Sequence, residues 1–282
     1  MVKWTDKQAL AIWEKYNKGL AKNIDIDESL SRYDIDKMRE RLEKDPVEWI
    51  KYFFPSYAKY EFAPFHIKAI KRLIANDEWY EVLSWSRELA KSTVVMFVLM
   101  YLTLTKRKKF VALASATIDA AERLLTPYRI NFENNPRIQQ FYGKQPVFGQ
   151  WTDREFTCTC GAKFIAIGAG SAPRGMRNES IRPDVIYMDD YDTDEDCRNP
   201  VTLNKKWDWM EKALYPTRSI SEPTLVIWCG NIIAKDCCIT RAGKLANSWD
   251  VVNIRDKNGK STWPAKNTEE HIDRALSKIS TK

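Results

Sequence analysis

The chain has 282 residues, with 45 Lys and Arg against 38 Asp and Glu, a net charge of +7, and 44% hydrophobic and 12% aromatic residues. A globule of this length buries roughly 75% of the surface its unfolded chain exposes, and this composition excludes disorder, whose signature is low hydrophobicity with high net charge. The positive excess is compatible with a polyanionic partner but is shared by many proteins that never meet one.

Residue counts narrow the chemistry further. His66 and His271 are the only histidines, which argues against zinc sites with two or more His and against nucleophile systems built on imidazole. The cysteines at 158, 160, 197, 229, 237 and 238 are unevenly spaced and follow no signal peptide, so they read as reduced thiols of a cytosolic protein. Cys158 and Cys160 lack the second C-x-x-C of a zinc ribbon.

Thr5 and Gln8 have capping-box spacing, and Leu10, Trp13, Tyr16 and Leu20 then recur about a turn apart, which predicts an amphipathic helix. Asp45 before Pro46 predicts an N-cap and a helix through Trp49, Ile50 and Phe53. Residues 1–60 thus form a helical preface. Next come a strand over 81–85, an apolar helix over 91–105, a strand over 109–113 and a helix from about Ile118, an alternation that implies parallel crossovers. The apolar run 93–105 falls short of the roughly 20 residues a membrane helix needs.

Residues 155–160 and 163–167 read as strands joined by a turn at Gly161, and 185–188 and 225–229 as short apolar central strands. Near the end, 251–254 and 261–263 flank Lys257-Asn258-Gly259, a hairpin signal. The expected fold is α/β, with a largely parallel sheet flanked by helices over 61–231, the helical preface over 1–60 and a small lid subdomain over 232–282.

The first strand runs into Ser86-Arg87-Glu88-Leu89-Ala90-Lys91-Ser92-Thr93 and the apolar helix. Strand, loop, Lys-Ser and helix is the setting of a phosphate loop, in which backbone amides and a helix N-terminus wrap phosphate, the lysine reaches the β/γ oxygens and a hydroxyl ligates Mg²⁺. Against G-x-x-x-x-G-K-[ST], Trp85 and Ala90 fill the glycine slots. The strand ending Met188-Asp189-Asp190 has the form of a Walker B element, where one acid holds the Mg²⁺ shell and the next polarises a water.

These stretches resemble the large terminase subunits of tailed bacteriophages, the DNA-packaging motors. The phosphate loop with Arg87 inside it is similar to the family's form. The run from Gly168-Ala169-Gly170 through Pro173-Arg174-Gly175-Met176-Arg177 to Asp189-Asp190 is the most specific match. Phe62-Ala63-Pro64-Phe65-His66 resembles the adenine-site motif, and Ser261-Thr262-Trp263-Pro264 resembles the passage into the nuclease domain that family members usually carry. The chain stops at Lys282, so no nuclease activity is expected of it.

The resemblance implies an ATPase that uses ATP and Mg²⁺ to drive double-stranded DNA into a procapsid. Portal protein and small terminase subunit would be its partners, in a homo-oligomeric ring, a pentamer by family resemblance. It would work in the host cytoplasm and transiently at the portal. Lys91 is then the γ-phosphate lysine, with Ala90, Leu89, Glu88 and Thr93 around the phosphates. Ser92 and Asp189 bind Mg²⁺, with Thr93 the alternative to Ser92. Asp190 orients the attacking water, with Asp192 in reserve. Arg87 reaches the γ-phosphate or forms a salt bridge; Arg174 and Arg177 form an arginine finger, a surface charge or a DNA contact. Asn231, after the strand 225–229, takes the place of the family's coupling residue or marks a plain turn. Phe65 and His66 contact adenine or simply pack, and Lys106-Arg107-Lys108-Lys109 is most simply a solvated connection. The competing readings are a helicase-like P-loop ATPase and a nucleic-acid binding module with an inactive nucleotide site.

Overall fold

The computed structural model describes residues 24–173, 176 and 180–277; the helix expected from Thr5, and Arg174 and Arg177, lie outside them. Helix α1 (Arg32–Lys44) starts at a reciprocal capping box between Ser31 and Asp34. Helix α2 (Pro46–Phe53) is N-capped by Asp45 with Pro46 in its first turn, as the sequence predicts. Helix α3 (Pro64–Ala75) then leads into the alternating region.

That region runs β1 (Trp79–Trp85), α4 (Lys91–Leu104), β2 (Phe110–Ser115), α5 (Ile118–Asn134), α6 (Pro136–Tyr142), β3 (Pro146–Trp151), β4 (Glu155–Cys158) and β5 (Lys163–Gly168). It continues with β6 (Val185–Asp189), α7 (Asp194–Arg198), α8 (Pro200–Trp209), β7 (Leu225–Cys229), α9 (Cys238–Leu245), β8 (Ser248–Val252) and α10 (Glu269–Leu276). The eight strands form one sheet in the order β3-β4-β5-β2-β6-β7-β1-β8. From β5 to β8 every neighbouring pair is parallel, and β3 and β4 add an antiparallel edge.

Strand periodicity divides the core in two. Leu83, Trp85, Tyr187, Leu225 and Ile227 face one cluster, which also takes in α2, α3 and α4. Val82, Ile186, Met188, Val226 and Trp228 face the other, with Leu203 of α8 and Ile239 and Ala242 of α9. Both faces are thereby covered, as a parallel sheet requires. Helix α4 is apolar around its circumference and is buried almost throughout, which explains an apolar run too short for a bilayer. Among the described residues no helix is long and apolar enough to cross a membrane.

The C-terminal part departs from expectation. Residues 248–252 form β8, which pairs in parallel with β1 from Glu81↔Ser248 to Trp85↔Val252, so the boundary expected after Asn231 does not separate the sheet from its edge strand. The Asn258-Gly259 turn exists, but it closes only a single antiparallel bridge, Arg255↔Ser261, in place of the expected hairpin.

The edge strand is tied to the core by charge. Arg72 of α3 donates to both oxygens of Glu81, which is 0% exposed, and to Asp250 of β8 at 2.6 Å. Trp79 Nε1 adds a bond to Glu81 at 2.8 Å. Burial raises the Glu81 pKa, against the pull of Arg72 and Trp79.

Candidate active site

In a parallel sheet the strands' carboxyl ends open on one rim, where ligands bind. Here β1, β7 and β6 are neighbours in that order, so the phosphate loop, the turn Cys229-Gly230-Asn231 and Asp189-Asp190 emerge side by side. The backbone knits them together. Gly230 N–H donates to Leu83 O at 3.3 Å, Asp190 N–H to Cys229 O at 3.0 Å, and Ser86 N–H to Val252 O of β8 at 2.8 Å.

Trp85 fills the first glycine slot without intruding on the loop, because it ends β1 with its side chain fully buried against Phe65, ring centroids 4.8 Å apart. Ala90, in the second slot, has φ 58° and ψ 27° and caps α4 without a side-chain bond. The first amides of α4 have no intrahelical acceptor, so the helix presents donors and the positive end of its dipole to the loop. Lys91 is 8% exposed and makes no ion pair or hydrogen bond among the described residues.

Asp189 completes this centre. Tyr187, two residues earlier and so on the same face of β6, donates its hydroxyl to Asp189 Oδ2 at 2.6 Å. Among the described residues, Oδ1 is buried with no partner at hydrogen-bonding geometry. Burial pushes the Asp189 pKa up to about 6 against the pull of the Ser92 and Tyr187 hydroxyls and the Lys91 ammonium, while Asp190 adds to the rise. An orphaned carboxylate oxygen facing a serine hydroxyl and an unpaired lysine fits a hard cation shared with phosphate. Among the described residues no three His, Cys, Asp or Glu side chains gather around a metal position, and Mg²⁺ sites typically need only one or two carboxylates plus phosphate and water.

Asp190 is exposed and held at φ 40°, a left-handed conformation that Asp adopts more readily than most residues with a Cβ. It lines a cleft of about 250 Å³ with Arg87, Gly230, Asn231 and Ile233. Asn231, Arg87 and Asp190 are thus brought together, and the exposed Arg87 has no ion pair among the described residues. Asp192 is committed elsewhere: its two oxygens accept the amides of Cys238 and Ile239 at 2.9 and 2.8 Å, capping α9. It is therefore no reserve base.

The expectation that His66 bonds adenine is corrected by its surroundings. The ring is 0% exposed; Nδ1 accepts the Ala63 amide at 3.1 Å, and Nε2 donates to the carbonyl of Leu89 at 2.9 Å. No nitrogen is left for a base, and His66 instead supports the phosphate loop from beneath. Phe65 is half-buried. Burial lowers the His66 pKa to about 4, opposed by the bond to Leu89 and reinforced by Lys266. The folded protein thus excludes a proton that the unfolded chain accepts near pH 6.5, so this contribution to stability is whole above pH 6.5. It falls by about 3 kcal/mol as the pH drops to 4. Urea unfolding from pH 7 to pH 4 is expected to show that slope in the wild type and a flatter one in His66→Gln; parallel slopes would place the titration elsewhere.

The glycine-rich stretch after β5 meets the same rim. A Cβ on Gly168 would lie 2.6 Å from the amide nitrogen of Ile118, so only glycine lets the start of α5 pack there. Trp209 holds the loop through a bond from Nε1 to Ser171 O at 2.6 Å. Tyr187, and the bond from Lys266 to Glu88 at 2.8 Å, were missed in the sequence. Tyr187 carried a signal, its two-residue spacing from Asp189; Lys266 carried none, being 178 positions from its partner.

An open parallel sheet with this loop, this acidic strand end and a strand between them defines an α/β fold of the P-loop ATPase type. The chain is similar to the large terminase of bacteriophage HK97, with TM-score 0.50 and 13% identity over 75% of this chain and 43% of that one. The chain therefore spans less than half of the HK97 protein, and the likeness is one of fold. It is also similar to the large terminase of the thermophilic bacteriophage D6E in complex with ADP, with TM-score 0.46 and 13% identity over 78% of this chain and 51% of that one. A third similar structure is Dbp5 of S. cerevisiae, with TM-score 0.45 and 8% identity over 77% of this chain and 52% of that one. No family model matches the chain, and no curated protein does.

Proposed function

We propose that this chain is a Mg²⁺-dependent ATPase whose hydrolysis drives double-stranded DNA into a procapsid, as the motor domain of a phage large terminase. The observation that carries the reading is the convergence at one rim of the sheet of Lys91 and Asp189 Oδ1, both without a partner among the described residues, and the exposed Asp190.

In this reading the loop amides of residues 88–93 and the Lys91 ammonium hold the β- and γ-phosphates, and Phe65 packs beside the adenine. Ser92 and Asp189 hold Mg²⁺, which when bound neutralises charge on the phosphate oxygens. Tyr187 keeps Asp189 Oδ2 occupied, so Oδ1 is the oxygen left for the metal. Asp190 accepts a hydrogen bond from the attacking water and aligns it with the γ-phosphorus. Arg87 stabilises charge on the transferred group, and Asn231, in the turn after the strand between the two motifs, responds to the loss of the γ-phosphate. Arg174 is assigned to the neighbouring subunit's site in a ring, where such fingers contribute roughly 10³ to 10⁵ in rate. Small terminase subunit, portal and host cytoplasm belong to the same reading, as does a preface over 1–60 before a core whose sheet runs on to β8.

The test is phosphate release from ATP by the purified protein, with and without linear duplex DNA. Slow Mg²⁺-dependent release that rises with duplex is expected. Unwinding of a forked duplex would move the assignment to a helicase, and absence of both nucleotide binding and release would leave a nucleic-acid binding module.

A further inference from the structure

Two of the five loop residues before Lys91 lie in the left-handed region without being glycine: Glu88 at φ 69° and Ala90 at φ 58°. A Cβ there crowds the following carbonyl, so the loop's shape needs support from outside itself. For Glu88 that support is visible. Lys266 Nζ donates to the Glu88 main-chain carbonyl at 3.0 Å and to its carboxylate Oε2 at 2.8 Å, gripping the residue by backbone and side chain together.

Lys266 is itself placed. Its Nζ lies 5.2 Å from the centroid of the Trp263 ring. Trp263 is nearly buried, donates Nε1 to Glu61 O at 2.7 Å and meets His66 edge-on, ring centroids 4.6 Å apart. His66 in turn holds the carbonyl of Leu89. Two consecutive loop carbonyls are therefore held from elsewhere in the chain. Across a planar trans peptide the next amide points opposite to the carbonyl, so the grip on Leu89 O turns the Ala90 N–H away from His66.

We infer that Lys266 is a positioning residue of the phosphate loop: it holds Glu88 in the left-handed conformation that shapes the cradle for a nucleotide's phosphates, the work glycine does unaided elsewhere. This rests on the nucleotide reading of the site. The latch acts between the two glycine slots of the ordinary motif, through a contact spanning 178 positions.

The test uses Lys266→Met, Lys266→Arg, Glu88→Gly and the double variant Lys266→Met/Glu88→Gly in the full chain. ATP affinity and hydrogen exchange of the loop amides without nucleotide are both measured. Lys266→Met is expected to bind ATP about tenfold more weakly and to exchange the loop faster, while Lys266→Arg keeps both near wild type. In the double variant, Glu88→Gly is expected to restore the affinity and the slow exchange that Lys266→Met alone loses, because glycine takes positive φ freely; a merely structural role for Lys266 predicts no such rescue. Unchanged affinity and exchange in Lys266→Met overturn the inference, as does a double variant no better than Lys266→Met. If Lys266→Met does not fold, Lys266→Gln takes its place: weaker ATP binding with faster loop exchange supports the latch, and wild-type values of both overturn it. If wild type binds no ATP, the nucleotide reading fails, and faster loop exchange in Lys266→Met still upholds the latch.

Discussion

Lys91→Ala is expected to reduce ATP turnover by at least about 10²-fold, the scale on which one preorganised charge-stabilising group acts, and to weaken ATP binding as well. Asp190→Asn is expected to keep binding and lose hydrolysis. The difference follows from place: Lys91 sits at the head of α4 with no partner among the described residues, whereas Asp190 lies across the cleft with Arg87 and Asn231. ATP affinity and steady-state phosphate release on both variants make the separation visible. Because Asp192 spends both oxygens on the α9 amides, it is not available to substitute. Wild-type release from Asp190→Asn would therefore remove the water-orienting role from this acidic pair.

The second large effect is on stability. Arg72→Met leaves Glu81, fully buried in β1, and Asp250 of β8 as neighbouring carboxylates without their shared cation. Breaking a buried pair from one side typically costs about 3–5 kcal/mol, because a charge is stranded. The variant's loss should depend on pH with a definite sign. A stranded buried carboxylate has a folded pKa above its unfolded one, so the folded state binds the extra proton and stability recovers as the pH falls. Urea midpoints at pH 8 and pH 5.5 should show the greater destabilisation at pH 8. An equal loss at both would mean that Arg72 acts through packing of its stem rather than its charge.

What the sequence revealed and what it hid divide along the range of the interaction. The capped start of α2, the apolar α4 and the buried strands β6 and β7 are dictated by residues within one element, and they fall where the periodicity put them. Strand β3 opens on Pro146, contains Gly149 and leaves Phe148 fully exposed, so it carries neither an alternating nor an apolar signature. At β8 the Asn-Gly signal was real, with Gly259 at φ 75°, but the strand's partner is β1, far back in the chain, and local turn chemistry says nothing about such a pairing. The site shows the same split. Motif spacing alone singles out Lys91, Ser92, Asp189 and Asp190 as candidates. The direction of the His66 nitrogens and the grip of Lys266 depend on how separate segments meet.

Strand β8 also bears on how this protein can be cut. A chain ended at Asn231 would turn β1 from an interior strand into an open edge, with the hydrogen-bonding groups now paired along Glu81 to Trp85 laid bare. It would also forfeit the Val252 carbonyl that receives Ser86, the Asp250 carboxylate that shares Arg72 and the Trp263 ring beside His66. A unit that keeps the Trp263 and Lys266 contacts as well as its closed sheet edge thus extends past Lys266, and a chain cut before β8 would present a ready template for strand-to-strand aggregation.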